Sequence, residues 1–237
     1  MNNWELLVRI AELEGIALLG AGQIKDIIGQ AELLPRRVTE GLEYGISIGL
    51  PLSSRIIEEI EDHPTKLYFY HYRRLNIALD QVAIKITSFI QKTGFEALPI
   101  PSSQTIDWEN QRGHLSHKIV AARAGLGWIG RNNLLINQDY GARVRYVTVL
   151  TDMPLPLSKP VERGCGTCQI CLGVCPAGAI GLSWEEFDRQ KCIEQLKYFS
   201  KKYQIGHYIC GICVKACPGI KLAQAKACDY HKTALLK

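Results

Sequence analysis

The sequence predicts an α+β protein in two parts, and three observations carry that prediction. Along residues 1–158, apolar residues at helical spacing alternate with short β-patterned runs, some too close together to be joined by helical crossovers. A stretch with three prolines, TDMPLPLSKPVERG, follows the last of these runs. All nine cysteines of the 237-residue chain lie beyond it, residues 1–164 containing none. The expected division is an α+β domain over 1–158 and a cysteine-rich domain over 159–237.

The elements follow in order. Asn2 or Asn3 can cap a first helix with Trp4, Leu7, Ile10 and Leu13 at helical spacing, and GIALLGAG after it reads as a buried strand or strand edge. The alternation Ile46, Ile48, Leu50 before Pro51 predicts a second strand, and Ser53 or Ser54 caps a short helix running to about Asp62. Leu75, Leu79, Val82, Ile86, Phe89 and Ile90 form one stripe of a long helix that Gly94 is placed to end. FEALPI is the strand after it. A helix is expected from about Gly113 to Ala124, closed by the glycine-rich AGLGWIG turn. NLLIN and RVRYVTVLTD read as two strands joined in a hairpin at Asp139, Tyr140 and Gly141. YFYHYRRLN, residues 68–76, can stack and neutralise a nucleic acid. It reads better as the start of the long amphipathic helix with its tyrosines half buried.

Composition sets bounds. Hydrophobic residues at 47% and charged residues at 22% are globular values. The N-terminus has no basic start, and no run approaches the roughly 18 apolar residues of a membrane span, so the expectation is a soluble, cytoplasmic chain with no membrane partner. In that compartment thiols stay reduced, which favours metal or redox chemistry over disulfides.

The cysteine spacing is specific. Cys165, Cys168, Cys171 and Cys175, followed by Pro176, make a C-x2-C-x2-C-x3-C-P run; Cys210, Cys213 and Cys217, followed by Pro218, repeat its second half; Cys192 lies between. This is the bacterial ferredoxin pattern, in which three thiolates bind one 4Fe–4S cluster and the fourth reaches to another. Applied here, one cluster takes Cys165, Cys168, Cys171 and the remote Cys217, and the other takes Cys175, Cys192, Cys210 and Cys213. Cys228 is left as a spare thiol. Paired C-x2-C steps also suit zinc, but zinc does not account for three cysteines at x2 intervals and two C-P steps. Eight thiolates against two dicationic clusters would lower the formal charge of +5 by four, to about +1, so bulk charge argues for no polyanionic partner.

About 160 residues precede the cysteines, more than an electron carrier needs. HLSHKIVAARAGLGWIGRNNLLINQDYGARVRYVTVLTDMPLP followed by CGTCQICLGVCPAGAI, with FEALPIPSSQ upstream, resembles the core of the epoxyqueuosine reductases and, more distantly, the reductive dehalogenases. The resemblance covers about residues 65–222. It implies a nitroreductase-like α+β domain that binds cobalamin, ahead of a ferredoxin-like double-cluster domain that feeds the cobalt single electrons. It also implies that Ala124, Gly125, Leu126, Gly127 and Trp128 line the corrin, with Gly130, Asn132 and Asn133 supplying close backbone or polar contacts. The residues alone read better as a helix C-cap and tight turn with Trp128 in the core. Two departures stand out. Where the resemblance puts the proton-donating Asp of the epoxyqueuosine reductases, counting back from Arg123 finds Gln111, with Lys118 in place of an Arg. Those enzymes also carry a helical-repeat domain after the clusters that helps hold tRNA, whereas twenty residues follow Cys217 here.

The expected function is therefore an epoxyqueuosine-reductase-like iron–sulfur reductase acting on a small-molecule or nucleoside-type substrate, with tRNA disfavoured and a ferredoxin or flavodoxin as electron donor. The catalytic acid is expected at His114, His117 or Asp107. His114 and His117, three apart, would share a helix face, as a paired-histidine metal site also requires. The alternative is a ferredoxin-like electron-transfer protein without its own cobalamin, reducing a partner such as a corrinoid protein.

Overall fold

The computed structural model describes residues 2–29 and 31–219. Cys228 lies outside them. The helices are α1 (Asn3–Leu13), α2 (Lys25–Gly29), α3 (Arg36–Thr39), α4 (Ser54–Glu58), α5 (Lys66–Lys92), α6 (His117–Arg123), α7 (Ile170–Val174), α8 (Arg189–Lys202) and α9 (Ile212–Lys215). The strands are β1 (Leu18–Gln23), β2 (Tyr44–Pro51), β3 (Ala97–Ile100), β4 (Trp128–Ile129), β5 (Leu135–Ile136) and β6 (Val144–Thr151). The chain is a mixed helix and sheet protein, as expected. Among the described residues no helix is long and apolar enough to cross a membrane.

Two compact units result, and neither is one contiguous stretch. The first comprises Met1–Pro51, His71–Trp128 and Arg145–Glu162; the second comprises Leu52–Tyr70, Ile129–Val144 and Arg163–Lys237. The last division falls close to the expected one at 158/159. The inner stretches 52–70 and 129–144, however, join the cysteine-rich part through long-range bonds that no local pattern announces.

In the first unit a four-stranded sheet has the order β1-β2-β6-β3, with β1 antiparallel to β2 and β3 antiparallel to β6. Asn2 caps α1 through a full capping box with Glu5, two orphan helix N–H groups being satisfied at once. Leu7 of α1 and Leu79, Val82, Ile86 and Ile90 of α5 pack on Ile46, Ile48, Val147 and Val149. A second cluster joins Leu150 and Ile100 to Val120 of α6, Ile24 and Leu42. The inner strands are thus covered on both sides, which is why Ser47 and Thr148 are as buried as the aliphatics between them. Gly22 of β1 lets the end of α6 come close: a Cβ there would meet the Arg123 carbonyl carbon at 2.7 Å.

Two local expectations are corrected. Helix α6 begins at His117 with Ser116 as its N-cap, so His114 lies before the helix and shares no face with His117. Leu135 and Ile136 pair with Trp128 and Ile129, not with β6; the turn at residues 137–141 closes on the single bridge Asn137↔Gly141. Asn137 holds that turn by accepting from the N–H groups of Asp139 and Tyr140, a local bond that competes with continued pairing.

The second unit rests on cations that reach backbone carbonyls. Arg143, 2% exposed, donates to Glu58 at 3.1 Å through both terminal nitrogens and also to the Lys215 carbonyl. Lys215 donates to the carbonyls of Glu58 and Ile60 at 2.9 and 2.6 Å. Helices α4 and α7 both pack on α9.

Candidate functional site

The cysteines sit on short elements that bring distant parts of the segment together. Cys171 is on α7, and Cys175 caps its C-terminus. Cys192 is on α8, and Cys213 is on α9, which starts from Gly211 at φ +87°. Cys217 follows α9, and its carbonyl accepts from the Ala142 N–H at 3.0 Å.

Electrostatics couple the thiols to one another. Burial pushes the Cys217 thiol up to about 11, and Cys165, Cys171 and Cys168 add to the rise. Cys171 is likewise raised by burial and then by Cys165 and Cys168. Burial lifts Cys210 to about 12, with Cys192 and Cys175 adding to it. Cys213 is raised by burial and by Cys210, Cys192 and Cys175, with Cys171 contributing last. The Cys217 thiol thus feels Cys165, Cys171 and Cys168, and the Cys213 thiol feels Cys210, Cys192, Cys175 and, last, Cys171. Among the described residues no three His, Cys, Asp or Glu side chains converge as one metal ion would require. Thiols whose acidity burial suppresses need a cationic partner to be held as thiolates.

Arg131 belongs to this site and has no counterpart in the sequence reading. Half buried, it donates to the carbonyls of Gly166 at 2.8 Å, Cys168 and Leu182. Its partners are 35, 37 and 51 residues away, so no linear motif could have revealed it.

The expected cobalamin segment is a Schellman helix end. The Gly125 N–H donates to the Ala122 carbonyl at 3.1 Å and the Leu126 N–H to the Ala121 carbonyl at 3.0 Å, with buried Ala124 as C-cap. Gly125 has φ +72°, and a Cβ on it would meet the Lys159 carbonyl at 2.7 Å. Its close approach is thus to the chain itself. Gly127 is buried, and Gly130 donates to the Leu134 carbonyl. Asn133 takes φ +58°. The Trp128 Nε1 and Asn132 Nδ2 atoms are buried donors with no partner. Orphaned donors of this kind fit an acceptor-rich ligand such as the amide-fringed corrin.

The three candidate acids separate. The partly buried His117 has both ring nitrogens engaged, Nε2–H donating to the Pro101 carbonyl at 2.9 Å and Nδ1 accepting from the Thr148 hydroxyl at 2.9 Å. Burial pushes it down to about 4, so near neutral pH it holds no proton to give. Asp107 accepts from the Asn110 backbone and amide N–H groups, which hold its carboxyl below the usual range, so it stays ionised. His114 donates from Nδ1 to the Leu33 carbonyl at 2.8 Å, which fixes the orientation of its ring. Gln111, at φ +50°, turns its amide onto the Trp108 carbonyl. A polar network was also missed: Arg145 lies over the Tyr72 ring at 4.3 Å and bonds Asn76 and the Ser102 carbonyl.

Residues 164–220 match the family described as a 4Fe-4S double cluster binding domain. An epoxyqueuosine reductase of Bacillus cereus is 35% identical over 127 residues, 50% of this chain and 32% of that protein. The chain thus spans about a third of the length of such relatives. An epoxyqueuosine reductase structure from Streptococcus thermophilus aligns over 92% of this chain and 66% of that one, with TM-score 0.63 and 23% identity. Another, solved with an epoxyqueuosine-modified tRNA stem loop, gives a TM-score of 0.62 at 20% identity over the same shares. A reductive dehalogenase whose structure is described for B12-dependent dehalogenation aligns over 91% of this chain and 31% of that one, with TM-score 0.68 and 19% identity. The chain is an iron–sulfur protein related to the epoxyqueuosine reductases in sequence, and to them and the reductive dehalogenases in fold.

Proposed function

We propose that the chain is an epoxyqueuosine-reductase-like oxidoreductase in which two 4Fe–4S clusters pass single electrons to a bound corrinoid, and that an organic substrate of nucleoside type is reduced there. The observation that carries this reading is the match of residues 164–220, which hold eight cysteines at double-cluster spacing, to a 4Fe-4S double cluster binding domain. The clusters supply one-electron transfer and the corrinoid supplies the two-electron reduction of the substrate, the electrons coming one at a time from a carrier of the ferredoxin or flavodoxin class. The eight thiolates hold the clusters. Residues 124–133 would hold the corrinoid, with the Trp128 and Asn132 side chains as the donors available to its amides and the Schellman turn fixing the backbone beside them. His114 releases a proton from Nε2 while the Leu33 carbonyl keeps its ring oriented.

The experiment is anaerobic purification followed by reconstitution with cobalamin. About eight irons and eight sulfides per chain are expected, with a corrinoid band retained through gel filtration. Zinc in a colourless protein would overturn the reading. Clusters without a retained corrinoid would favour an electron-transfer protein. Cys217→Ser should remove the same paramagnetic signal as Cys165→Ser; loss of the other signal would mean that each motif closes its own cluster. His114→Gln should lower turnover roughly 100-fold with corrinoid and clusters still bound. Turnover of free nucleoside and of a tRNA stem loop, measured side by side, decides the form of substrate.

A further inference from the structure

We propose that Arg131 is a positioning residue for the cluster on Cys165, Cys168, Cys171 and Cys217, fastening its loop and raising its reduction potential. The inference rests on the two-cluster reading. Its basis is a planar fork of donors spread over three carbonyls, Gly166, Cys168 and Leu182, two of them within the C-x2-C step that ligates the iron. A guanidinium that meets only carbonyls keeps its full charge, and no carboxylate is paired with it among the described residues. That charge reaches the site: the guanidinium lies on the carbonyls of Gly166 and Cys168, within the ligand loop itself.

The first cluster gains one electron, hence one negative charge, on reduction. A half-buried cation held on its ligand loop stabilises that charge and makes the cluster easier to reduce.

The test uses the full chain with both clusters, reduced by dithionite under paramagnetic resonance-monitored potentiometry, one electron passing from dithionite to each cluster. Cys168→Ser identifies the signal of the first cluster. In Arg131→Gln, iron and sulfide should be retained. At a fixed potential the reduced-to-oxidised ratio of the first cluster should fall about tenfold, equivalent to about 59 mV for one electron, with the second unmoved. Arg131→Lys keeps the charge without the fork and should recover most of that loss. If Arg131→Gln sheds the first cluster while Arg131→Lys holds it near the parent potential, the assignment stands on the charge. Unmoved midpoints in Arg131→Gln, or a shift in Arg131→Lys as large as in Arg131→Gln, would overturn it, as would loss of the cluster from both. A preparation with no clusters at all would instead fail the functional reading beneath it.

Discussion

The two units of this chain are held together by different means. The sheet unit is closed by aliphatic contact, with Leu7, Ile46, Ile48, Leu79, Ile86 and Ile90 all fully buried. The cysteine unit has short helices and leans on charged side chains that bind carbonyls: Arg131 on the cysteine loop, Arg143 and Lys215 around α4 and α9. A sheet covered on both faces gains stability in proportion to the apolar area removed from water. A unit of short helices and loops depends on whatever its ligands converge upon. The first unit is therefore expected to stand without a cofactor and the second to need one.

The largest effect should come from stripping the clusters with a chelator under oxidising conditions. Amide exchange should then lose protection across α7, α8 and α9 while β1, β2 and β6 keep theirs. Equal loss in the strands would abolish the contrast. Next, Leu79→Ala removes fully buried packing and should cost about 3 kcal/mol in urea unfolding of the sheet unit. Arg143→Met should cost less in the second unit, about 2 kcal/mol, because half-exposed Glu58 can rehydrate once its partner is gone.

His117 sharpens the comparison through pH. Its folded value of about 4 lies below the ordinary 6.5, so the unfolded chain binds the extra proton. The contribution, about 2–3 kcal/mol, is complete above pH 6.5 and is lost as pH falls from 6.5 toward 4. His117→Gln should flatten the dependence of the denaturation midpoint on pH between 8 and 5; an unchanged slope would mean that the ring is not desolvated in the fold. Asn2→Ala, which removes the cap of α1, should cost about 1 kcal/mol, the smallest of these effects.

Several features were legible residue by residue. The capping box at Asn2 and Glu5, the apolar stripe of α5 and the glycine at the end of α6 each depend on neighbours within a turn or two, and the chain carries that information locally. The double-cluster character of residues 164–220 was legible for a related reason: the cysteine spacing itself carries it. The misreadings arose where partners are far apart. Leu135 and Ile136 have a strand-like pattern that says nothing about whether β6 or β4 lies beside them, and the turn bonds of Asn137 decided it. His114 and His117 look equivalent in sequence, yet one meets the Leu33 carbonyl and the other is locked between Pro101 and Thr148.

By itself, then, the sequence determined the mixed helix and sheet class, the helical stripes and caps, and the cysteine spacing of a double-cluster domain, because these rest on spacing along the chain. Tertiary structure alone decided that residues 52–70 and 129–144 belong with the cysteines, that Arg131 spans the carbonyls of Gly166, Cys168 and Leu182, and that His117 is neutral. The physical reason is common to all three. Desolvation, and a donor's choice among distant carbonyls, depend on which surfaces meet when the chain closes, and no local periodicity encodes that meeting.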